Sequence, residues 1–174
     1  MDAGEIQSFL KYSANEKRII EKFDIPSDLF LPLLLSLKAG GSWSYSTEEL
    51  TTVSVKNVIT YYDEKKMIGH TLEEIYLFLE PRIVEQKGTV YRLEKCSRKG
   101  ERVLVTRPYA VTMEADRIIL VTINPQLKKI EVKELEEKRI ELTGSPAYSA
   151  AHEMEHVADG DIEGTPLWEF EFKD

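Results

Sequence analysis

The first part of the chain places its apolar residues at helical spacing. Ser13 and Glu16 form a capping-box pair ahead of the apolar positions in residues 19–23, which predicts a short first helix. Residues 29–37 are apolar on nearly every side, so a second helix over them should be buried in the core. Gly40 and Gly41 follow it and end it, because glycine tolerates the left-handed conformation beyond a helix C-terminus.

The next segments also predict helices. Ser46 with Glu49, and Thr71 with Glu74, repeat the Ser/Thr-x-x-Glu pattern of a helix start. The first pair predicts a very short helix through residue 50, and the second predicts a helix over residues 71–79. Between them, residues 54–68 carry apolar side chains mostly three or four positions apart, which predicts a longer helix closed by a glycine.

From residue 89 onward the apolar period changes to two, as in strands. Residues 90–96 and 103–106 predict a hairpin, and residues 117–123 and 129–133 predict a second antiparallel pair. Ser145-Pro146 predicts the start of a helix that ends near residue 160. Residues 168–172 alternate aromatic and acidic side chains, which predicts a terminal strand with one buried face.

Together these elements predict an α+β protein. A helical N-terminal half, residues 1–86, precedes a small antiparallel sheet, a C-terminal helix and a terminal strand in residues 87–174, and the two regions can form one compact domain. The chain has 174 residues, of which 42% are apolar, enough for a hydrophobic core. Neither a membrane span nor a secretory signal is recognisable, so we expect a cytoplasmic protein, and a single cysteine excludes an internal disulfide.

The charge distribution changes this picture by marking one basic segment. The formal net charge is −8, and the excess of acidic residues lies in residues 108–174. Residues 87–107 are the opposite, with seven basic and two acidic side chains. Such a segment is either a solvated hairpin or a surface that binds phosphates or an acidic partner.

The order of elements in residues 29–106 resembles winged-helix domains: a buried helix, a glycine break, a short helix, a longer helix and a basic hairpin. The resemblance implies that the helix from residue 54 recognises a partner and that the hairpin is the wing. The leading prediction is a non-enzymatic binding or regulatory protein, without a cofactor, that contacts nucleic acid or an acidic protein. Its predicted partner-binding residues are Lys56, Asn57, Arg92, Lys95, Arg98, Lys99 and Arg102.

An alternative function rests on the segment His152-Glu153-Met154-Glu155-His156. It matches the H-E-x-x-H pattern and resembles zinc-dependent peptidases, in which two histidines on one helix face bind the metal and the glutamate acts on the bound water. The resemblance implies a zinc-dependent hydrolase with His152 and His156 as ligands, Glu153 as the catalytic base and Asp159 or Asp161 as a candidate third ligand. An ordinary amphipathic helix shows the same polar face.

The predicted terminal strand suggests one more interaction. If the aromatic residues 168–172 are exposed at a sheet edge, the edge can add to the sheet of a partner or of a second copy. A homodimer is therefore a possible state, alongside binding of nucleic acid or of another protein.

Overall fold

The computed structural model describes residues 14–95, 100–158 and 160–174, and over these residues the fold is mostly β. The helices are α1 (Ala14–Lys22), α2 (Leu31–Ala39) and α3 (Ser145–Ala158), with 3-10 turns at Ser27–Phe30 and Leu167–Glu169. The strands are β1 (Trp43–Ser46), β2 (Thr51–Asp63), β3 (Ile68–Leu79), β4 (Arg82–Lys87), β5 (Val90–Lys95), β6 (Arg102–Arg107), β7 (Ala110–Glu114), β8 (Arg117–Asn124), β9 (Lys129–Glu134), β10 (Arg139–Thr143) and β11 (Thr165–Pro166).

The strands form three antiparallel sheets. A five-stranded sheet has the order β1-β2-β3-β8-β9, and two three-stranded sheets have the orders β10-β7-β4 and β11-β6-β5. In the largest sheet β3 pairs with β8, so it joins strands from both sides of residue 86, where the sequence suggested a division. The β2–β3 hairpin carries much of this sheet because its two strands pair over twelve positions.

The five-stranded sheet is covered on both faces around its centre. One face packs against α1 and α2 through Ile75, Leu77, Ile119 and Val121, and the other packs against β7, β10 and α3 through Val53, Val55, Phe78 and Ile118. Period-two side-chain alternation explains this division, since successive residues of a strand point to opposite faces. The second face matters for function because it holds α3 against the end of the sheet where β1 lies.

The predicted helical N-terminal half is wrong. Residues 54–68 and 71–79, predicted as helices, belong largely to β2 and β3, and the winged-helix order is therefore absent. Residues 51–60 contain many β-branched side chains, which favour strands, and β2 pairs with β1 on one side and with β3 on the other. In residues 71–79 the apolar positions fall on both covered faces of β3, whereas Val58, Tyr62 and Ile68 are exposed apolar residues that happen to stand at helical spacing.

The capping-box pair Ser46–Glu49 also marks something other than a helix. Thr47, not Ser46, accepts hydrogen bonds from the backbone N–H groups of Glu49 and Leu50, at 3.2 and 3.0 Å. This closes a turn between β1 and β2. A Ser/Thr side chain supplies the same bonds in a turn as at a helix start, so the pattern does not distinguish the two.

The second half of the chain agrees better with the elements that its hydrophobic pattern predicts. The predicted hairpin is β5 and β6, the second pair is β8 and β9, and the C-terminal helix is α3. The predicted terminal strand is wrong, because Leu167–Glu169 is a 3-10 turn and Trp168 and Phe172 are 89% and 88% exposed. No helix in the described part of the chain has the length and apolarity needed to cross a membrane.

Core burial of Phe78 predicts a large loss of stability on truncation. Phe78 is fully buried between the main sheet and α3, so Phe78→Ala should lower the free energy of unfolding by about 3–5 kcal/mol. Phe172→Ala, at a largely exposed position, should leave the free energy nearly unchanged. Denaturant unfolding of both variants checks this, and equal effects would contradict the position of Phe78.

Candidate functional site

A polar cleft of about 250 Å³ lies between α3, β5 and the start of β1. Its walls come from distant parts of the sequence, which the packing of α3 on the main sheet brings together. The residues that line it are Ser42, Arg92, Leu93, Glu94, Lys95, Tyr148, Ser149, His152 and Glu153.

Small side chains on one face of α3 bring the helix close to the sheet. Ala147 and Ala150 are fully buried there and Ala151 is nearly so, and they belong to or adjoin the core under β2 and β7. Because alanine lets helix and sheet backbones approach closely, the adjoining face of α3 directs His152 and Glu153 into the cleft.

A buried ion pair between β5 and β6 organises the cleft. Arg107 donates to Glu94 through Nε at 3.0 Å and through Nη2 at 2.8 Å, and both side chains are less than 10% exposed. The third guanidinium nitrogen, Nη1, lies 3.0 Å from Oε2 of Glu155 on α3. Two parallel bonds from one guanidinium to one carboxylate fix both groups, so Arg107 ties the hairpin to the helix.

Glu94 remains ionised despite its burial. Burial by itself raises its pKa, but hydrogen bonds from His152 and Arg107, together with the charge of Arg107, lower the pKa to about 2. Bonds to the charged form outweigh desolvation here because a guanidinium satisfies two carboxylate lone pairs at once. Glu94 is therefore a permanent negative charge at neutral pH.

The two histidines of α3 contact each other as well as the protein. Nδ1 of His152 lies 2.7 Å from Oε2 of Glu94, and Nδ1 of His156 lies 3.0 Å from the backbone oxygen of Gly160. Ionised carboxylates and carbonyl oxygens only accept, so both Nδ1 atoms donate. The two Nε2 atoms lie 3.1 Å apart. Glu94 thus fixes the orientation of the His152 ring.

Glu153 differs from Glu94 in having no cationic partner at bonding distance among the described residues. It is 8% exposed, and desolvation raises its pKa to about 7, against the opposing effects of a hydrogen bond from Ser44 and of His152. The negative charge of Glu94 contributes to the increase. Near neutral pH Glu153 consequently exchanges a proton easily, which is the property required of a general acid or base.

The cleft therefore holds two carboxyl groups in opposite protonation states. Glu94 is charged across the physiological range, while Glu153 is neutral below about pH 7. Divergent pKa values within one pocket are typical of catalytic acid–base pairs. Arg92 adds a cation at the mouth, where its guanidinium packs 4.6 Å from the ring centre of Tyr148.

Comparison with known proteins relates the β part of this fold to one family. The sequence model described as RimB-like, retropepsin-like aspartic endopeptidase RimB, matches residues 14–134, well over half of the chain. The chain belongs to the RimB-like family. Searches of the curated proteins and of the solved structures found no match. The matched residues include β5 with Glu94 but end before α3, so His152 and Glu153 lie outside the match.

The acidic groups of this RimB-like chain are not arranged as aspartates in a pocket. An aspartic endopeptidase uses two carboxyl groups that share one proton. The described aspartates are all exposed, and the carboxylates buried in the cleft are Glu94 and Glu153. Within the described residues, the two cleft carboxyl groups whose pKa values differ are therefore those of glutamates.

The predicted zinc site is not formed among the described residues. The structure brings His152 and His156 into contact, but no group of three His, Cys, Asp or Glu side chains in that part of the chain can hold a metal ion. Asp159 lies outside the described residues. His152 and Glu153 line the cleft, whereas His156 does not.

The predicted partner-binding residues separate into two places. Arg92 and Lys95 line the cleft, and Arg102 pairs with Lys95 across the hairpin, while Arg98 and Lys99 lie outside the described residues. Lys56 and Asn57 belong to β2 and face acidic neighbours on β3: Lys56 lies 3.1 Å from Glu73, and Asn57 donates to Glu74 at 3.4 Å. They do not form the recognition helix that the winged-helix resemblance implied.

Glu94 and Arg107 were missed as site residues because each looked like one more charge of a basic hairpin. A weak signal was present in the sequence. Side chains of a strand alternate between its two faces, and in both strands this alternation places Glu94 and Arg107 on the inward face. Their partner on α3 is more than forty residues away in the sequence, and only the fold shows it.

Removing the guanidinium should destabilise the protein strongly. Arg107→Met leaves Glu94 buried without its bidentate partner, so the free energy of unfolding should fall by about 3 kcal/mol or more. Arg139→Met, which removes an exposed arginine from its pairing with Glu114, should change it little. Denaturant unfolding at neutral pH measures both, and a small effect of Arg107→Met would contradict the ion pair.

The raised pKa of Glu153 predicts a pH-dependent stability. Between its ordinary pKa of 4.5 and about 7 the folded state binds more protons than the unfolded state, so stability falls as pH rises through this window. From pH 5 to pH 8 the native chain should lose about 2–3 kcal/mol more than Glu153→Gln, which has no carboxyl to ionise. Thermal unfolding at both values tests this, and parallel changes would refute it.

Proposed function

We propose that this cleft hydrolyses peptide bonds, with Glu153 as the general acid–base. The observation that carries the proposal is the burial of Glu153 in a cleft beside an ionised carboxylate, which raises its pKa to about 7. Membership of an endopeptidase family supports amide bonds as the bonds attacked. The proposal keeps the hydrolase alternative of the sequence analysis and assigns the reaction to the residues of the cleft.

The chemistry needs one proton carrier and one water molecule. Ionised Glu153 accepts a proton from water while the water oxygen bonds to the amide carbon, and the carbonyl oxygen takes up the negative charge. The protonated carboxyl then donates to the amide nitrogen as the carbon–nitrogen bond breaks. Products are a carboxylic acid and an amine, so no further reactant is consumed. A group with a pKa near 7 performs both transfers efficiently.

The other cleft residues support this reaction without exchanging the proton. Glu94, bound by Arg107, fixes the orientation of His152 and raises the pKa of Glu153 by its charge. The guanidinium of Arg92 is the cation that can approach a developing oxyanion, because 36% of its side chain is exposed. The site thus combines a mobile proton, fixed charges and an accessible cation.

The basic residues favour acidic peptides as substrates. Arg92 and Lys95 are both at the cleft, while Glu94 is satisfied by Arg107 and His152. A substrate carboxylate near Arg92 gains a charge-assisted hydrogen bond, whereas a basic side chain is repelled. The predicted acidic partner of the hairpin is therefore, in this proposal, the substrate.

Loss of the Glu153 carboxyl should lower the peptidase activity strongly. Peptide cleavage is followed by mass spectrometry on a mixture of defined peptides, and Glu153→Gln should lower kcat/KM by about 10²–10⁴-fold with the fold intact. Glu163→Gln, which changes an exposed glutamate, should retain full activity. Cleavage that persists undiminished in Glu153→Gln would remove Glu153 from the mechanism.

The pH profile provides a second test of the same group. As the reacting base, Glu153 must be ionised, so kcat/KM should increase with pH and level off above about pH 7. The same peptide is assayed between pH 5 and pH 9. A rate that instead declines through pH 7 would show that the protonated carboxyl is the form required by the free enzyme.

A further inference from the structure

Two sheets end at the cleft. β5 is the terminal strand of the sheet β11-β6-β5, and β1 is the terminal strand of the five-stranded sheet. Ser42, directly before β1, and Leu93 and Glu94 of β5 line the same cleft. Within the described residues, no strand pairs with the outer edge of either one. One wall of the cleft is consequently formed by residues of β5, a strand whose outer edge is unpaired among the described residues.

A free edge is a binding surface for another backbone. Alternate residues of β5 direct their N–H and C=O groups toward β6, and the others direct theirs outward. An extended peptide satisfies these outward groups by adding as a new strand, with main-chain hydrogen bonds that do not depend on its sequence. The six residues of β5 offer an edge of about 20 Å, long enough for such a segment.

The side chains of β5 alternate between its two faces, so the edge should prefer different residues at successive positions of a bound peptide. Arg92 and Glu94 point to one face of the strand, and Tyr91 and Leu93 point to the other. Arg92 packs on Tyr148, and its Nε, 3.2 Å from Glu94, lacks a hydrogen-bond partner among the described atoms. Tyr91 is 73% exposed. A neighbouring strand therefore meets a cation on one face and an aromatic ring on the other.

We propose that the cleft binds an extended polypeptide segment as an additional strand on the free edge of β5. An acidic residue of the segment lies beside Arg92, and the adjacent residue, apolar or aromatic, lies beside Tyr91. The inference rests on the proposed function for the identity of the site, but it concerns recognition and not bond cleavage. It makes the substrate a terminus or linker in extended form, because a helix or a folded surface cannot pair with the edge.

Binding is tested with the full chain carrying Glu153→Gln, so that bound peptides are not cleaved. An array of peptides of about ten residues, which exceeds the β5 edge, supplies the probes. We expect the bound sequences to share an acidic residue next to an apolar or aromatic one. Adding the tightest-binding peptide should slow hydrogen exchange at backbone amides within Val90–Lys95. Binding that instead protects only other amides, or no binding, would overturn the proposal.

Two perturbations separate main-chain from side-chain recognition. N-methylation of the selected peptide at successive residues should weaken binding at every second position, because only alternate amides face β5. Equal losses at successive positions would refute strand addition. Arg92→Glu in the same protein should weaken binding of the acidic peptide about tenfold or more, whereas Lys133→Glu on β9, another terminal strand, should leave it unchanged. Equal effects of the two reversals would contradict the position of the acidic residue.

The readouts also distinguish this inference from the proposed function. If peptides bind and protect β5 but the native chain does not cleave them, strand addition stands and the hydrolase proposal fails. If the native chain cleaves peptides but N-methylation shows no alternation, the hydrolase proposal stands and strand addition fails.

Discussion

The bidentate bond between Arg107 and Glu94 is the interaction on which the cleft depends. It neutralises a buried carboxylate, joins β5 to β6 and, through Glu155, holds the hairpin against α3. Each partner alone would be a costly buried charge, so the three elements are constrained to one arrangement. The orientation of His152 follows from it, since Glu94 accepts a hydrogen bond from that ring. A peripheral hairpin thereby becomes one wall of a site.

The same ion pair explains why two glutamates in one cleft behave differently. Glu94 has its cationic partner and stays ionised, whereas Glu153, which accepts a hydrogen bond from Ser44 and has no cation at bonding distance among the described residues, is destabilised as a carboxylate. This difference between the two pKa values allows Glu94 to stay charged while Glu153 exchanges a proton. In a RimB-like chain it offers an acid–base pair without buried aspartates among the described residues. The matched region contributes the sheets and Glu94, and the following helix contributes Glu153.

Hydrophobic patterning predicted the local elements well where one face of an element is exposed and poorly where both faces are covered. Helix α3 and the β5–β6 and β8–β9 pairs have polar outer faces, and their periods are readable. In β3 the core residues lie on both faces, so apolar residues fall on both parities and mimic helical spacing, whereas in β2 the misleading apolar residues Val58 and Tyr62 are exposed. Capping-box patterns reinforced that error, because the same side chains also close turns.

By itself, the sequence determined that a polar helix face carries His152, Glu153 and His156, and that a basic hairpin precedes it, because both are local patterns. Only the tertiary structure decided that the helix face and the hairpin meet. The long antiparallel pairing of β3 with β2 and β8 positions β1 and α3, and the buried pair Glu94–Arg107 then selects which charges lie inside. Burial sets the proton affinity of Glu153, and burial is a property of contacts between residues far apart in the chain.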